Sequence, residues 1–291
     1  MKRPSPVEGG PMAPFKAALL AAYAILSLAP IVYLLLTAFK LPADAIALPP
    51  RFLPGASAPE DSYWFRFTLR NFRQVLADPG TAPYFFNSIL VSAVSTILSV
   101  AAGSLAGYGF SRFPFKGGRD ALFFVLCTRM LPPLALAVPI SFMYSRLGLL
   151  DTRFGLILLY TCFNLSFVTW MMKAFIDEIP AAYEEAAMLD GHTRLEALLR
   201  VVLPQAAPGL AATAVFSLIS SWNEYAFALT LTSTDAVTMP VRIHALAGDG
   251  AAVPWGPLAA AAALFLLPIM FFGLMMRRHL VRGATFGAVK G

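Results

Sequence analysis

Two ionisable side chains, Arg129 and Glu224, stand inside long apolar runs of the sequence. Charges at membrane depth mark solute pathways or relays by default. Glu224 sits in the stretch Trp222-Asn223-Glu224-Tyr225, where an amide and a carboxylate able to hydrogen-bond hydroxyl groups are flanked by two ring faces. These four residues read in two ways, as the lining of a cavity or as polar contacts between helices. Arg129 lies just before the helix-weakening pair Pro132-Pro133 and reads as a side chain that snorkels or pairs. Other chemistry is missing from the chain. No lysine follows a glycine, which removes a phosphate-binding GxxxxGK[ST] loop. His192, His244 and His279 are scattered, without an HExxH pair or a nearby cysteine to complete a metal-ligand spacing. There is no GxSxG elbow. A chain of this kind that moves a solute uphill must draw its energy from an ion gradient or from another polypeptide.

The elements that must position these residues are membrane spans. Of 291 residues 58% are hydrophobic and only 13% charged, against about 25% charged in an ordinary soluble domain, and the mean hydropathy is +0.69. Disorder, a nucleic-acid-binding arm and a disulfide scaffold are disfavoured; Cys127 and Cys162, both in apolar runs, read as small hydrophobes. Runs of the roughly 20 apolar residues a spanning helix needs fall near 16–39, 84–111, 120–144, 154–176, 206–231 and 256–276. The expectation is an all-α polytopic membrane protein with six transmembrane helices, residues 16–291 forming one membrane domain behind a short tail, 1–15. The first run is too long for a signal peptide and lacks its cleavage site. The net charge of +6 is topological information in such a chain. Lys and Arg concentrate on the side that holds both termini, so the positive-inside rule makes the termini cytoplasmic. The loop 40–83 is then external, proline-rich at first and amphipathic around Tyr63 to Leu76, where a short surface helix is expected.

The most informative stretch is Ile179 to Pro204, IPAAYEEAAMLDGHTRLEALLRVVLP, within the cytoplasmic segment 178–204. It parses as helix, turn, helix. Pro180 suits a first helical position, the following residues are strong helix formers, and Gly191 suits a left-handed stop. Thr193 and Glu196 have the spacing of a capping box. Leu195, Leu198, Leu199 and Val202 follow as one apolar stripe. An interfacial helix lying on lipid favours basic residues on its polar face, whereas Glu184, Glu185 and Asp190 are repelled by anionic lipid. A protein-docking element is the reading that fits the charge.

The same segment resembles the EAA loop of the membrane subunits of bacterial ABC importers. Glu185, Ala186, Ala187, Gly191, Val201, Leu203 and Pro204 fall at that motif's positions, with Val201 where isoleucine is commoner. Asp190-Gly191, Trp222 to Tyr225, the turn Gly148 to Thr152, Asn71-Phe72 and the tail Gly287 to Gly291 are similar to the carbohydrate branch, in particular the maltose-transporter type of permease subunit. The resemblance runs from about Ala17 to Gly291, and Ala284-Thr285-Phe286 departs from it just before the tail.

What the resemblance implies is a bacterial inner-membrane, multi-pass, non-catalytic subunit with the type I importer permease fold. Its expected partners are a second permease subunit, a pair of ATPase subunits that carry ATP and Mg, an extracytoplasmic solute-binding protein, a carbohydrate substrate and the surrounding lipid, with no nucleic acid and no cofactor or metal in this chain. Residues 181–191 are the expected coupling helix, with Glu184, Glu185, Ala186, Ala187, Asp190, Gly191, Leu203 and Pro204 as its coupling residues. Trp222, Asn223, Glu224 and Tyr225 are the candidate substrate pathway. In the outer loop 233–255, Gly248, Asp249 and Gly250 are the candidate contact for the binding protein. The alternatives are an importer of the same class for a polyol, a sugar-phosphate or another small solute, and an ion-coupled secondary transporter. The latter calls for paired midplane acids and inverted repeats, which this sequence lacks.

Overall fold

A computed structural model describes residues 13–55, 59, 62–248 and 253–286. Asp249, Gly250, the tail 287–291 and the first twelve residues lie outside the described set. The chain separates into two compact units, residues 1–78 with 246–265, and residues 79–245 with 266–291.

The first unit starts with α1 (Ala13–Ala38), an apolar helix whose side chains are almost all exposed, as lipid-facing residues are. Then come α2 (Pro42–Ala45), the strands β1 (Leu53–Gly55) and β2 (Trp64–Arg66), and α3 (Arg70–Ala77). The strands pair in parallel with Leu53 opposite Trp64. This pair is not foreshadowed by the amphipathic pattern, and the surface helix expected around Tyr63 to Leu76 occupies only its second half. Buried polar groups organise the stretch. The Asp44 carboxylate accepts from the Arg51 guanidinium and from the Arg66 N–H at 3.0 Å. Lys40, 1% exposed, lays its ammonium over the ring of Tyr33 at 4.7 Å, with Phe65 and Phe52 beside it. Burial lowers its pKa, with Asp44 pulling the other way. Asn71 donates to the carbonyls of Ala38 and Lys40, fixing α3 to the end of α1.

The second unit is built on α4 (Thr81–Arg112) and α7 (Arg153–Asp177). They run parallel. Arg153 donates to Asn87 at one end of the pair, and Ser111 donates to Asp177 at the other. The buried face of α4 is rich in small residues, Ser88, Ser92, Ser95, Ser99, Gly103 and Gly107, of which Ser99, Gly103 and Gly107 meet α7. A Cβ on Gly103 stands 2.6 Å from Val168, and one on Gly107 stands 2.9 Å from the Lys173 backbone nitrogen. The GxxxG spacing is therefore used for close backbone approach, as in helix pairs packed in lipid. The hydroxyls of Ser92, Ser95 and Ser99 donate back into their own helix.

Between these helices lie α5 (Gly118–Cys127) and α6 (Pro133–Leu147). After α7 come α8 (Ala182–Leu189), α9 (Arg194–Ala197), a π turn at Leu198–Val202, α10 (Leu203–Gln205), α11 (Ala207–Trp222), α12 (Ala226–Leu231) and α13 (Met239–Ala247), and α14 (Trp255–Phe286) closes the order. Among the described residues four helices, α1, α4, α7 and α14, are long and apolar enough to cross a membrane, and two bent pairs raise the number to as many as six. The expected run 120–144 is one of these pairs, bent by 92° between Met130 and Pro133. Two successive prolines that cannot donate an N–H explain the bend. The expected run 206–231 is also not one helix. It stops at Trp222 and restarts at Ala226. The stretch expected as a polar outer loop, 233–255, contains α13, which opens with Pro240 in its first turn.

Two apolar clusters hold the second unit together. One gathers Val91, Tyr144, Leu156, Tyr160, Phe227 and Leu231. The other gathers Tyr108, Val168, Met172, Ile176, Leu198 and Val202, and so packs the segment after α8 against α4 and α7.

Candidate coupling helix and membrane pocket

The segment 179–204 folds as its sequence dictates locally. Gly191 has φ of 91°, a conformation that costs other residues strain. Its N–H meets the Met188 carbonyl, and the His192 N–H meets Ala187, which is the Schellman pattern. Thr193 and Glu196 form the expected capping box, and the Thr193 N–H and hydroxyl hold the Glu196 carboxyl below its usual range. Two details differ from expectation. Pro180 precedes α8, whose cap is Ala181, so the helix is shorter than 181–191. The single apolar stripe splits: Leu198 and Val202 are buried, while Leu195 and Leu199 are exposed. The π turn lies there, closed by the Leu203 N–H reaching back to Leu198, just ahead of Pro204, which lacks an N–H of its own.

The two adjacent glutamates face opposite ways. Glu184 is 4% exposed. Its carboxylate is paired with Arg112, at the end of α4, and accepts from the Tyr108 hydroxyl at 2.8 Å. Arg112 also donates to the Ile179 carbonyl at 2.7 Å. Glu185, Ala186, Asp190 and Gly191 are exposed, as is Leu189 beside them, and Ala187 is buried beneath. Leu203 is half-buried and Pro204 exposed. The surface that α8 leaves open thus carries Tyr183, the Glu185 carboxylate, small side chains and Leu189, with Asp190 at its end, while Glu184 beneath is bolted to a span.

The break at 223–225 has a cause in Glu224. Its Oε1 accepts the Phe227 N–H at 2.9 Å, and its Oε2 accepts the Ala228 N–H at 3.1 Å and the Tyr160 hydroxyl at 2.7 Å. A carboxylate that caps the first turn of α12 requires α11 to have ended. Glu224 also lines a pocket of about 150 Å³ with Arg129, Tyr160, Asn164, Ser220 and Ser221. Both readings of this residue therefore describe it. The Arg129 guanidinium donates to Ser220 Oγ at 3.1 Å, the Phe163 carbonyl at 3.3 Å and Asn164 Oδ1 at 3.4 Å, and stacks 5.2 Å from the Phe167 ring. It turns into the pocket instead of snorkelling.

The other members of the predicted quartet are not brought together with Glu224 in that pocket. Trp222 lines a separate, apolar pocket with Ile89 and Phe272. Asn223 is exposed and donates to the Ile219 carbonyl, and Tyr225 packs on His244. Tyr160, Asn164, Ser220 and Ser221 were missed; the available signal was a run of polar types inside apolar spans. Gly248 is exposed, with φ of 64°.

In the sequence Asp151 stands out only as part of the turn Gly148 to Thr152. It has φ of 53° and accepts from the N–H groups of Ser233, Thr234, Asp235 and Ala236 and from the hydroxyls of Ser233 and Thr234. Burial pushes its pKa up, but these donors outweigh it and hold the carboxyl well below the usual range. Asn87 donates to the carbonyls of Asp235 and Val237, extending the clamp to α4.

Long and bent apolar helices, and in the second unit an exposed helix-turn-helix bolted to one span beside a polar pocket, define a polytopic membrane component of the transport class. Comparison with known proteins makes this specific. The chain belongs to the family of binding-protein-dependent transport system inner membrane components, whose pattern matches residues 99–285. It is 34% identical to the trehalose/maltose transport system permease protein MalG of Thermococcus litoralis, over 78% of this chain and 83% of that one. It is 37% identical to the trehalose transport system permease protein SugB of Mycobacterium tuberculosis, over 77% of this chain and 82% of that one. Among solved structures, a chain of a bacterial ABC transporter involved in the import of alginate superposes with a TM-score of 0.75 at 22% identity, covering 94% of this chain and 99% of that one. The fold is that of the type I ABC importer permeases, and the protein is a multi-pass inner-membrane protein.

Proposed function

We propose that the chain is the non-catalytic permease subunit of an ATP-driven importer for a sugar, that it forms the solute path with a second permease subunit, and that α8 docks a separate pair of ATPase subunits holding ATP and Mg. Relatives named for trehalose and maltose transport, at 34% and 37% identity, support the sugar. The observation that carries the docking role is the two-faced α8: Glu184 locked to Arg112 and Tyr108 beneath, Glu185 and Ala186 open above. Glu185 is the charged contact to the ATPase, and the Gly191 turn lets the chain leave the cleft sharply. Closure of the ATPase pair on ATP moves α8 as a rigid body and, through the Arg112 pair, swings α4 with it. The free energy of that shift comes from the nucleotide bound elsewhere. Both termini and α8 are cytoplasmic, and the outer loops, with Gly248, Asp249 and Gly250, meet the solute-binding protein.

Affinity purification of the chain in mild detergent, followed by an ATPase assay, tests this reading. A second permease and an active ATPase are the expected companions; a chain that purifies alone and drives uptake from an ion gradient overturns it. Gly191→Pro is expected to abolish uptake while the chain still reaches the membrane, because proline fixes φ near −65° where the turn has 91°. Normal uptake by that variant argues against docking through this turn.

A further inference from the structure

The pocket between Arg129 and Glu224 is unusual in what its two charges lack. Charge-assisted hydrogen bonds run to about 2.7–2.9 Å, yet the nearest acceptors of Arg129 are neutral and lie at 3.1–3.4 Å. Among the described residues no carboxylate comes within ion-pair distance of it. Glu224 already accepts three donors, from Tyr160, Phe227 and Ala228, out of about four lone-pair sites. One guanidinium in want of strong acceptors and one carboxylate with a free lone pair therefore face a common space of about 150 Å³.

We propose that this pocket is a solute subsite carried by this chain, and that it selects a neutral polyhydroxyl ring over an anionic one. This rests on the sugar-importer reading above. A hydroxyl group both accepts and donates, so neighbouring hydroxyls on one ring accept from Arg129 and donate to Glu224, with Asn164 and Ser220 beside them. A neutral ring leaves the charges of Arg129 and Glu224 balanced. A carboxylate, phosphate or sulfonate gains Arg129 but places a second negative charge against Glu224, where low dielectric makes like charges costly. The volume lies below the roughly 300–1,000 Å³ of complete ligand pockets, which suits one ring of an oligosaccharide while the remainder rests elsewhere along the path. Phe163 and Phe227, 4.9 Å apart between ring centroids, supply the apolar wall that sugar ring faces pack on.

The test uses the purified, detergent-solubilised complex and the native arginines. Phenylglyoxal modification of Arg129 is followed by peptide mass spectrometry, with exposed Arg200 as internal control, in the presence of glucose, trehalose or glucuronate. Glucose and trehalose are expected to slow modification of Arg129 several-fold while leaving Arg200 unchanged, and glucuronate to give little protection. In Glu224→Gln, glucuronate is expected to protect as well as the neutral sugars do. No protection by either neutral sugar, or equal protection by glucuronate in the unaltered protein, overturns the proposal. If Glu224→Gln does not fold, the comparison of the three sugars on the unaltered chain decides alone. Loss of the ATPase from the purified material speaks against the importer reading instead, because Arg129 protection is read on this chain whether or not the ATPase accompanies it.

Discussion

Glu184 and Asp151 are both carboxylates that tie a connecting segment to the α4–α7 pair, at opposite ends of it, and they do so by different physics. Glu184 is buried and answers the side chains of Arg112 and Tyr108. Asp151 has no such cation among its hydrogen-bond partners and instead gathers four successive backbone N–H groups and two hydroxyls from residues 233–236. A link between two long side chains joins two bodies that keep their own shapes. A nest of backbone donors fixes the shape of a loop. The first suits a joint that passes on motion, the second a rigid turn.

Breaking the joint should cost most. Glu184→Ala leaves Arg112 buried without its charge partner, and removing one member of a buried pair costs about 3–5 kcal/mol. Chemical denaturation of the purified chain is expected to show that loss. Replacing Arg112 and Glu184 together by methionine should recover much of the stability without restoring solute-stimulated ATP hydrolysis in the complex. Recovery of both quantities would reduce the pair to a packing role.

Asp151→Asn sharpens the other half of the contrast. It exchanges an acceptor-only carboxylate for an amide that presents N–H to N–H, at an expected cost of about 1.5–3 kcal/mol for hydrogen bonds to a charged group. The pH dependence has a definite sign. A carboxyl depressed in the folded state contributes stability above its unfolded pKa, near 3.9, and loses it only as pH falls through the lower folded value. The difference between the native chain and Asp151→Asn should therefore be constant from about pH 5 to pH 8 and shrink in strong acid. A difference that changes near neutrality would mean another group carries the clamp.

The smallest effect is expected at Thr193→Ala, which removes the capping box beside α8 at a cost of about 1 kcal/mol. Faster amide exchange confined to residues 193–197, with no change around Asp151, is the expected signature.

The local chemistry of the 179–204 segment was legible in the sequence because caps, glycine stops and turns depend on near neighbours. Thr193, Glu196 and Gly191 behave as their types and spacing dictate. The spans were legible as apolar content, and Pro132-Pro133 as a weak point in run 120–144, although not as a bend of 92°. Direction was not legible. Glu184 and Glu185 are consecutive on a helix, about 100° apart, and only the positions of Tyr108 and Arg112, more than seventy residues earlier, decide which one turns inward. Glu224 posed the same problem. Hydropathy carries run 206–231 straight through it, whereas Tyr160 and the N–H groups of Phe227 and Ala228 make it a cap. The β1–β2 pair was hidden because three-residue strands around a buried Asp44 leave no periodicity to read.

The serine and glycine face of α4 has a mechanical meaning. With backbones this close and little side-chain bulk between them, α4 and α7 form a stiff rod. Asn87 and Arg112 stand 25 positions apart on it, roughly 38 Å at 1.5 Å per residue. A tilt of a few degrees imposed at the Arg112 end becomes a displacement of ångströms at the Asn87 end, where that asparagine holds Arg153 and the carbonyls of Asp235 and Val237. The length of that rod sets how far a tilt at the Arg112 end is carried at the Asn87 end.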